Sequence, residues 1–549
     1  MKDQNRTGVS RRSLFRLGAG AAVASAAAPL ALADGNDDDK GKDHGGDNRL
    51  AEATIADLQK AMASGELTSR EIVQIYLQRI EALDNDNEDG PGLRAFLELN
   101  RRALDTADQL DQERKRGMVR GLLHGIPILL KDNIDTADMM TTAGSLGLVG
   151  PPPPIDATLT ARLRMAGAII LGKANLSEWA NFRGNRSVSG WSGRGRQGRN
   201  PYVLDRSPCG SSSGSAAAVS GNLVAAALGT ETNGSIVCPS SVNGCAAIKP
   251  TVGLTSRAGV IPIAHSQDTV GPICRTMADA AAVLGVLTGA DSRDPATADS
   301  AGHFFKDYTQ FLDPKGLSGA RIGIAREFFG ASEHIDRIAD PAVDVLKNLG
   351  AVVMDVKFPN LSAINSAPSL TVLEYEFKND LNSYLGTRVG LSVHSLADLI
   401  AFNVAHAQEE MPYFLQQIFE ASQAKGPLTD PVYLDALATD HLVSRQQGID
   451  AVLQNYGVDA IFAPTRNPAW TIDLINGDRS FGASSTPAAL AGYPLVTVTA
   501  GYAFGELPVG VTFMGTAWSE PKLIKYAYAF EQATKARKAP RFLPTLNLP

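Results

Sequence analysis

The chain has 549 residues, of which 44% are hydrophobic and 20% charged, and it carries a formal net charge of −7. That much apolar material can bury a large core. The acidic balance argues against a nucleic-acid binder, whose surface would need the opposite sign.

Residues 1–33 read as a targeting segment and not as part of the fold. Ser10-Arg11-Arg12-Ser13-Leu14-Phe15 is a twin-arginine motif, a mild apolar run follows from Leu17 to Leu32, and Ala31-Leu32-Ala33 offers a small-x-small cleavage site. The run is too short and too rich in alanine to read as a membrane span. No cysteine follows the cleavage site to take an acyl anchor, so no stable membrane anchor is expected. This route exports folded proteins, which predicts a periplasmic or extracellular enzyme. Residues 34–49 form an acidic, glycine-rich leader without apolar anchors, expected to be disordered. Removing residues 1–33, with five basic side chains and one acidic, takes the charge to about −11.

Residues 50–549 show no internal repeat and no linker-like stretch, and read as one large catalytic domain. Thr68-Ser69-Arg70-Glu71 is a capping box opening a helix with Ile72, Val73, Tyr76, Leu77 and Ile80 on one face. Ile126 to Leu130, Ala168 to Leu171 and Arg321 to Ala325 read as buried strands. Ser215 to Ala227 is small and apolar enough for a buried helix, and a last helix is expected around Pro521 to Lys538. Helix and strand signals alternate to the end of the chain, the pattern of a layered α/β protein.

The chemistry concentrates in two places. In His124-Gly-Ile-Pro-Ile-Leu-Leu-Lys131 a short apolar run ends in a charge, which would deliver the Lys131 amine into a dry pocket. Burial disfavours the ammonium, and a neutral lysine can act as a base toward a serine hydroxyl. From Ser207 to Pro250 a Gly/Ser-rich turn, a small-residue run and a second Gly-Ser turn follow one another. Ser235 ends the turn Thr232-Asn233-Gly234-Ser235, whose unshielded backbone N–H groups can converge on a developing oxyanion. Ser211 lies 24 residues earlier and would bridge Lys131 to Ser235 as a proton relay.

These segments resemble the amidase signature family. Gly210-Ser211-Ser212, Gly229-Thr230-Glu231-Thr232-Asn233-Gly234-Ser235-Ile236 and Ile248-Lys249-Pro250-Thr251 match its core pattern. So do Thr141 to Ser145, Gly172-Lys173-Ala174-Asn175 and Asn200-Pro201. The resemblance spans residues 50 to 540. It implies a mixed, twisted central β-sheet with helices on both faces. It also implies a Ser-Ser-Lys triad of Lys131, Ser211 and Ser235, with the backbone of Thr232, Asn233, Gly234 and Ser235 as oxyanion donors. Cys209, Ser213, Asn233 and Val237-Cys238 depart from the broad pattern. Together with Trp179 to Phe182, Ser266 to Thr269 and Leu507 to Gly510, they resemble the bacterial peptide amidase branch. That branch implies release of ammonia from peptide C-terminal carboxamides.

Competing readings have their own residues. Gly210-Ser211-Ser212-Ser213-Gly214 also fits the G-x-S-x-G elbow of esterases, with Ser212 attacking, but no histidine has a convincing context and no β-branched strand leads into it. Ser212 is expected instead to help orient Lys131. The four cysteines, Cys209, Cys238, Cys245 and Cys274, lack zinc spacing and read as small buried residues, Cys209 and Cys238 as candidate pocket lining; a Cys238–Cys245 disulfide is conceivable after export. Neither HxxxH nor HExxH occurs, so neither metal nor cofactor is expected. The five arginines of residues 183–199 are expected to pair with carboxylates or substrate. Residues 286–460 are expected to supply much of the pocket wall. Small aryl or aliphatic amides remain alternative substrates, and an amidotransferase A-type subunit or a non-catalytic binding protein remain alternative roles.

Overall fold

The computed structural model describes residues 48–85 and 90–548; the export signal and nearly all of the acidic leader lie outside them. Eleven strands form one mixed sheet. They are β1 (Phe96–Leu99), β2 (Pro127–Lys131), β3 (Ile169–Ala174), β4 (Ala226–Glu231), β5 (Ala246–Lys249), β6 (Thr269–Cys274), β7 (Arg321–Ala325), β8 (Val352–Val356), β9 (Ala460–Pro464), β10 (Leu495–Ala503) and β11 (Leu507–Met514). Their order across the sheet is β1-β3-β2-β4-β6-β5-β10-β11-β9-β7-β8. β3, β2 and β4 run parallel, as do β9, β7 and β8, and the strands between are antiparallel. The sheet is flanked by helices, the α/β architecture expected from the family resemblance.

Every residue of β2, β3, β4 and β6 is buried. This is why β2 and β3 read as short apolar runs and not as alternating ones. β2 begins and ends one residue later than its apolar run suggests, so that Lys131 is its last residue. β7 has the predicted bounds. The helix α1 (Ser69–Leu83) has the predicted capping box, with Thr68 and Glu71 exchanging hydrogen bonds with each other's backbone.

The expected helix over Ser215–Ala227 is shorter and earlier. α2 (Ser213–Ser220) ends at Gly221, and Asn222 takes a left-handed φ of 57°. The chain then turns back into the sheet, so Ala226 and Ala227 belong to β4. Small apolar residues fit both elements, and the Gly-Asn pair decides where one ends. α2 packs on β2, β3, β4 and β6. Its approach is close enough that a Cβ on Gly214 would lie 2.4 Å from the carbonyl oxygens of Ala95 and Asn175. A short helix, α3 (Val237–Val242), packs on β5, β10 and β11. α4 (Ser369–Leu385) carries side chains that face the loop before β6, and α5 (Glu520–Thr534) closes the fold near the predicted C-terminal helix.

Candidate active site

The parallel register of β2 and β4 sets Leu130 beside Leu228, which brings the end of β2 alongside Gly229 and Thr230. Lys131 is fully buried there. Its Nζ lies 2.7 Å from Ser211 Oγ, 2.8 Å from Thr230 Oγ1 and 3.2 Å from the Thr230 carbonyl oxygen. Burial pushes its pKa down to about 7, although the Asp268 and Glu231 carboxylates pull it back up. Asn133 Nδ2 donates to the same Thr230 hydroxyl at 3.0 Å.

Ser211 precedes α2, and its carbonyl accepts from Ser177 N at 3.1 Å. Among the described residues no hydrogen bond joins Ser212 to Lys131 directly. Its hydroxyl donates to the Thr230 carbonyl at 3.1 Å and accepts from Thr230 N at 3.2 Å. It therefore holds the strand residue that in turn holds the lysine. Ser212 stands at the N-cap of α2 without capping it; its side chain turns to Thr230 in β4, while that of Ser211 faces Lys131.

Ser235 lies on the turn between β4 and α3, and Ser212 N donates to its carbonyl at 3.2 Å. The turn is fixed by two carboxylates, the buried Glu231 and the half-buried Asp268. Glu231 Oε2 accepts from Ile236 N at 2.7 Å and Val237 N at 3.0 Å. Asp268 Oδ1 accepts from Thr232 Oγ1 at 2.5 Å, and its Oδ2 accepts from Ile263 N and Ala264 N at 2.7 and 3.0 Å. Burial raises the Asp268 pKa to about 6 against these stabilising hydrogen bonds. Gly234 has φ +83°, a conformation a side chain resists. Asn233 Oδ1 accepts from Ser485 Oγ at 2.7 Å, so the residue that departs from the family's glycine is tied outward. Among the described residues, the N–H groups of Thr232, Asn233, Gly234 and Ser235 donate to no protein acceptor, whereas the next two are consumed by Glu231.

Ser235 opens on a cavity of about 220 Å³ shared with Asn181, Cys209, Thr232, Arg466, Trp470 and Asp478. Of residues 286–460 only Leu373 reaches it, so the expected wall is misplaced: the lining comes from loops on either side of that segment. Trp470 Nε1 donates to Asp478 Oδ1 at 3.0 Å, and Ser189 N donates to the same carboxylate. Burial raises the Asp478 pKa. Arg466 stacks 5.2 Å from the Trp470 ring centroid, and burial lowers its pKa to about 10. Two residues of the loop Trp179-Ala180-Asn181 line this cavity, with all three in left-handed conformations.

Cys209 and Cys238 are joined by a disulfide. Cys245 is free and buried, its Sγ turned toward the Ala216 and Asn243 carbonyls. The conceivable Cys238–Cys245 pairing is thus replaced by one between the two serine-bearing turns. Arg183 pairs with Glu178 at 2.8 Å, and Arg194 with Glu98 at 3.0 Å, the structural use expected of the arginine-rich loop.

His265, Glu376 and Asp380 hold ligand-type atoms within 4.8 Å of one another. The two ring nitrogens face different carboxylates, Nδ1 toward Asp380 at 2.7 Å and Nε2 toward Glu376 at 3.4 Å. Burial opposes the imidazolium, but the two carboxylates outweigh it and raise the His265 pKa. This is the geometry of an ion-pair clamp between α4 and the Asp268 loop. Thr230, Glu231, Asn133, Arg466 and Asp478 were beyond sequence reasoning as individual site residues. Only Thr230 and Glu231, inside the Gly229–Ile236 motif, carried a readable signal.

A sequence model described as Amidase matches residues 71–524. The chain is 42% identical over 505 residues to a probable amidase of Arabidopsis thaliana, covering 90% of this chain and 92% of that one. It is 34% identical to the A-type component of the glutamyl-tRNA(Gln) amidotransferase of Synechococcus, covering 89% of this chain and 99% of that one. The crystal structure of native peptide amidase from Stenotrophomonas maltophilia superposes with a TM-score of 0.85 at 52% identity, covering 90% of this chain and 99% of that one.

Proposed function

The chain belongs to the amidase family and hydrolyses amide C–N bonds, and from that premise we propose that it removes the C-terminal carboxamide of peptides through a relay of Lys131, Ser211 and Ser235. The observation that carries the relay is the fully buried Lys131 amine 2.7 Å from Ser211 Oγ. A neutral amine has two N–H donors and one lone pair. The Thr230 carbonyl and hydroxyl take the donors, which leaves the lone pair for the Ser211 proton.

As Ser235 Oγ attacks the amide carbon, its proton passes to Ser211 while the Ser211 proton passes to Lys131 Nζ. The unclaimed N–H groups of the Thr232–Ser235 turn receive the oxyanion. The relayed proton goes to the leaving nitrogen, ammonia departs, and water retraces the path to free the Ser235 ester.

The substrate class rests on the likeness to peptide amidase at 52% identity, above the 34% identity to the amidotransferase component. Export by the twin-arginine route rests on residues 10–33 and is part of the proposal. Ammonia release from a peptide amide, an aryl amide and an aliphatic amide, compared by kcat/KM, tests the class. Preference for the peptide amide is the expected result. An aryl or aliphatic preference would keep the amidase and overturn the peptide assignment.

A further inference from the structure

Cys209 stands two residues before Ser211 and Cys238 three residues after Ser235, and their disulfide joins the two turns. Cys209 has φ +56°, a conformation suited to glycine, so a side chain is held here against backbone preference. Arg466 Nη1 lies 2.5 Å from Cys238 Sγ and 3.4 Å from Cys209 Sγ. Cys209 and Arg466 both line the cavity onto which Ser235 opens, so the disulfide lies just behind that cavity's wall, with Cys209 and Cys238 each 2% exposed.

We propose that Cys209 and Cys238 are positioning residues that lock the Ser211 turn to the Ser235 turn, and that a small dithiol entering the cavity opens the lock and slows the enzyme. The inference rests on the serine relay proposed above. A relay of two hydroxyls and an amine depends on sub-ångström placement, and the main-chain link between the turns is the single Ser212–Ser235 hydrogen bond at 3.2 Å.

In the opening step, one thiolate of the dithiol attacks Cys209 Sγ. The Cys209–Cys238 bond breaks, and Cys238 leaves as a thiolate beside the Arg466 guanidinium, which stabilises it. The reagent's second thiol loses its proton to solvent and attacks its own sulfur in the mixed disulfide. Cys209 is released and takes a proton from water. The reagent ends as a cyclic disulfide, and its two electrons reside in the two protein thiols.

The test uses the mature protein, oxidised in air, with and without dithiothreitol. Iodoacetamide labelling read by mass spectrometry reports the cysteines, near-UV circular dichroism reports the fold, and the rate of Ser235 labelling by a fluorophosphonate reports the nucleophile. The expected result is reduction of Cys209 and Cys238 with the fold retained and Ser235 labelling slowed by about tenfold or more. On an amidated peptide, kcat should fall more than KM rises, and reoxidation should restore both rates. The Cys209→Gly/Cys238→Ala pair should be slow from the start and indifferent to dithiothreitol. Free Cys209 and Cys238 in air-oxidised protein, resistance of the disulfide in the folded state, or equal labelling before and after reduction would each overturn the inference. Absence of Ser235 labelling in both states would overturn the relay itself, and the inference with it.

Discussion

An ammonium has no lone pair, so Lys131 can take the Ser211 proton only after losing its own. Burial lowers its pKa to about 7, so the competent fraction grows as pH rises through that value. kcat/KM should therefore rise tenfold per unit below about pH 7 and level above it. A profile flat from pH 5 to 9 would contradict the relay. Lys131→Met should lower kcat by about 10²–10⁴-fold, measured as ammonia release. Glu231 makes a second, less obvious claim. Glu231→Ala would strand two buried N–H groups and loosen the turn, so kcat should drop about 10²-fold, with Glu231→Gln recovering part of it. Of these residues, Lys131, Ser211 and Ser235 were legible because the motifs around them are local in sequence. Arg466, Trp470 and Asp478 were not, because each is a single side chain on a loop more than two hundred residues from Ser235, brought there only by the sheet.

Strands and helices were readable where one physical signal dominated. The capping box at Thr68 and the apolar runs of β2 and β7 each state one preference, and the structure follows them. The stretch from Ser215 to Ala227 states two. Alanine favours a helix, but its small size also lets a strand be squeezed between β2 and β6, and the break at Gly221-Asn222 belongs to the tertiary fit. Packing of that kind has measurable consequences. A Cβ on Gly271, in β6, would sit 2.0 Å from the Ile248 carbonyl oxygen, so Gly271→Ala should destabilise the fold by about 1–3 kcal/mol or more. Thr68→Ala removes only an N-cap and should cost about 1 kcal/mol. Urea denaturation of both variants checks the order; an equal or reversed ranking would contradict the packing described for β6.

The eleven-stranded sheet serves as one frame in which β2 supplies the amine, β4 the second serine turn, and the loops after β3 and β9 most of the pocket. Burying lysines in that frame links stability to pH. Lys131 and Lys249 have their pKa values lowered by burial to about 7 and about 8, below the ordinary lysine value they regain on unfolding. Between those values and about pH 10.4 the unfolded chain binds more protons, so stability rises with pH. Lys131→Met removes one share of that rise, on the order of 2 kcal/mol between pH 7 and 9, and its Tm should climb less over that range than the wild type's. An equal climb would mean that Lys131 is charged in the fold. The most direct test of the relay and its substrate is mass spectrometry of a C-terminally amidated peptide incubated with the protein and with Ser235→Ala. Conversion of the carboxamide to the free acid by the wild type, and none by the variant, is the predicted result. Equal conversion by Ser235→Ala would contradict the relay, and no conversion by a wild type that still labels at Ser235 would contradict the peptide-amide substrate.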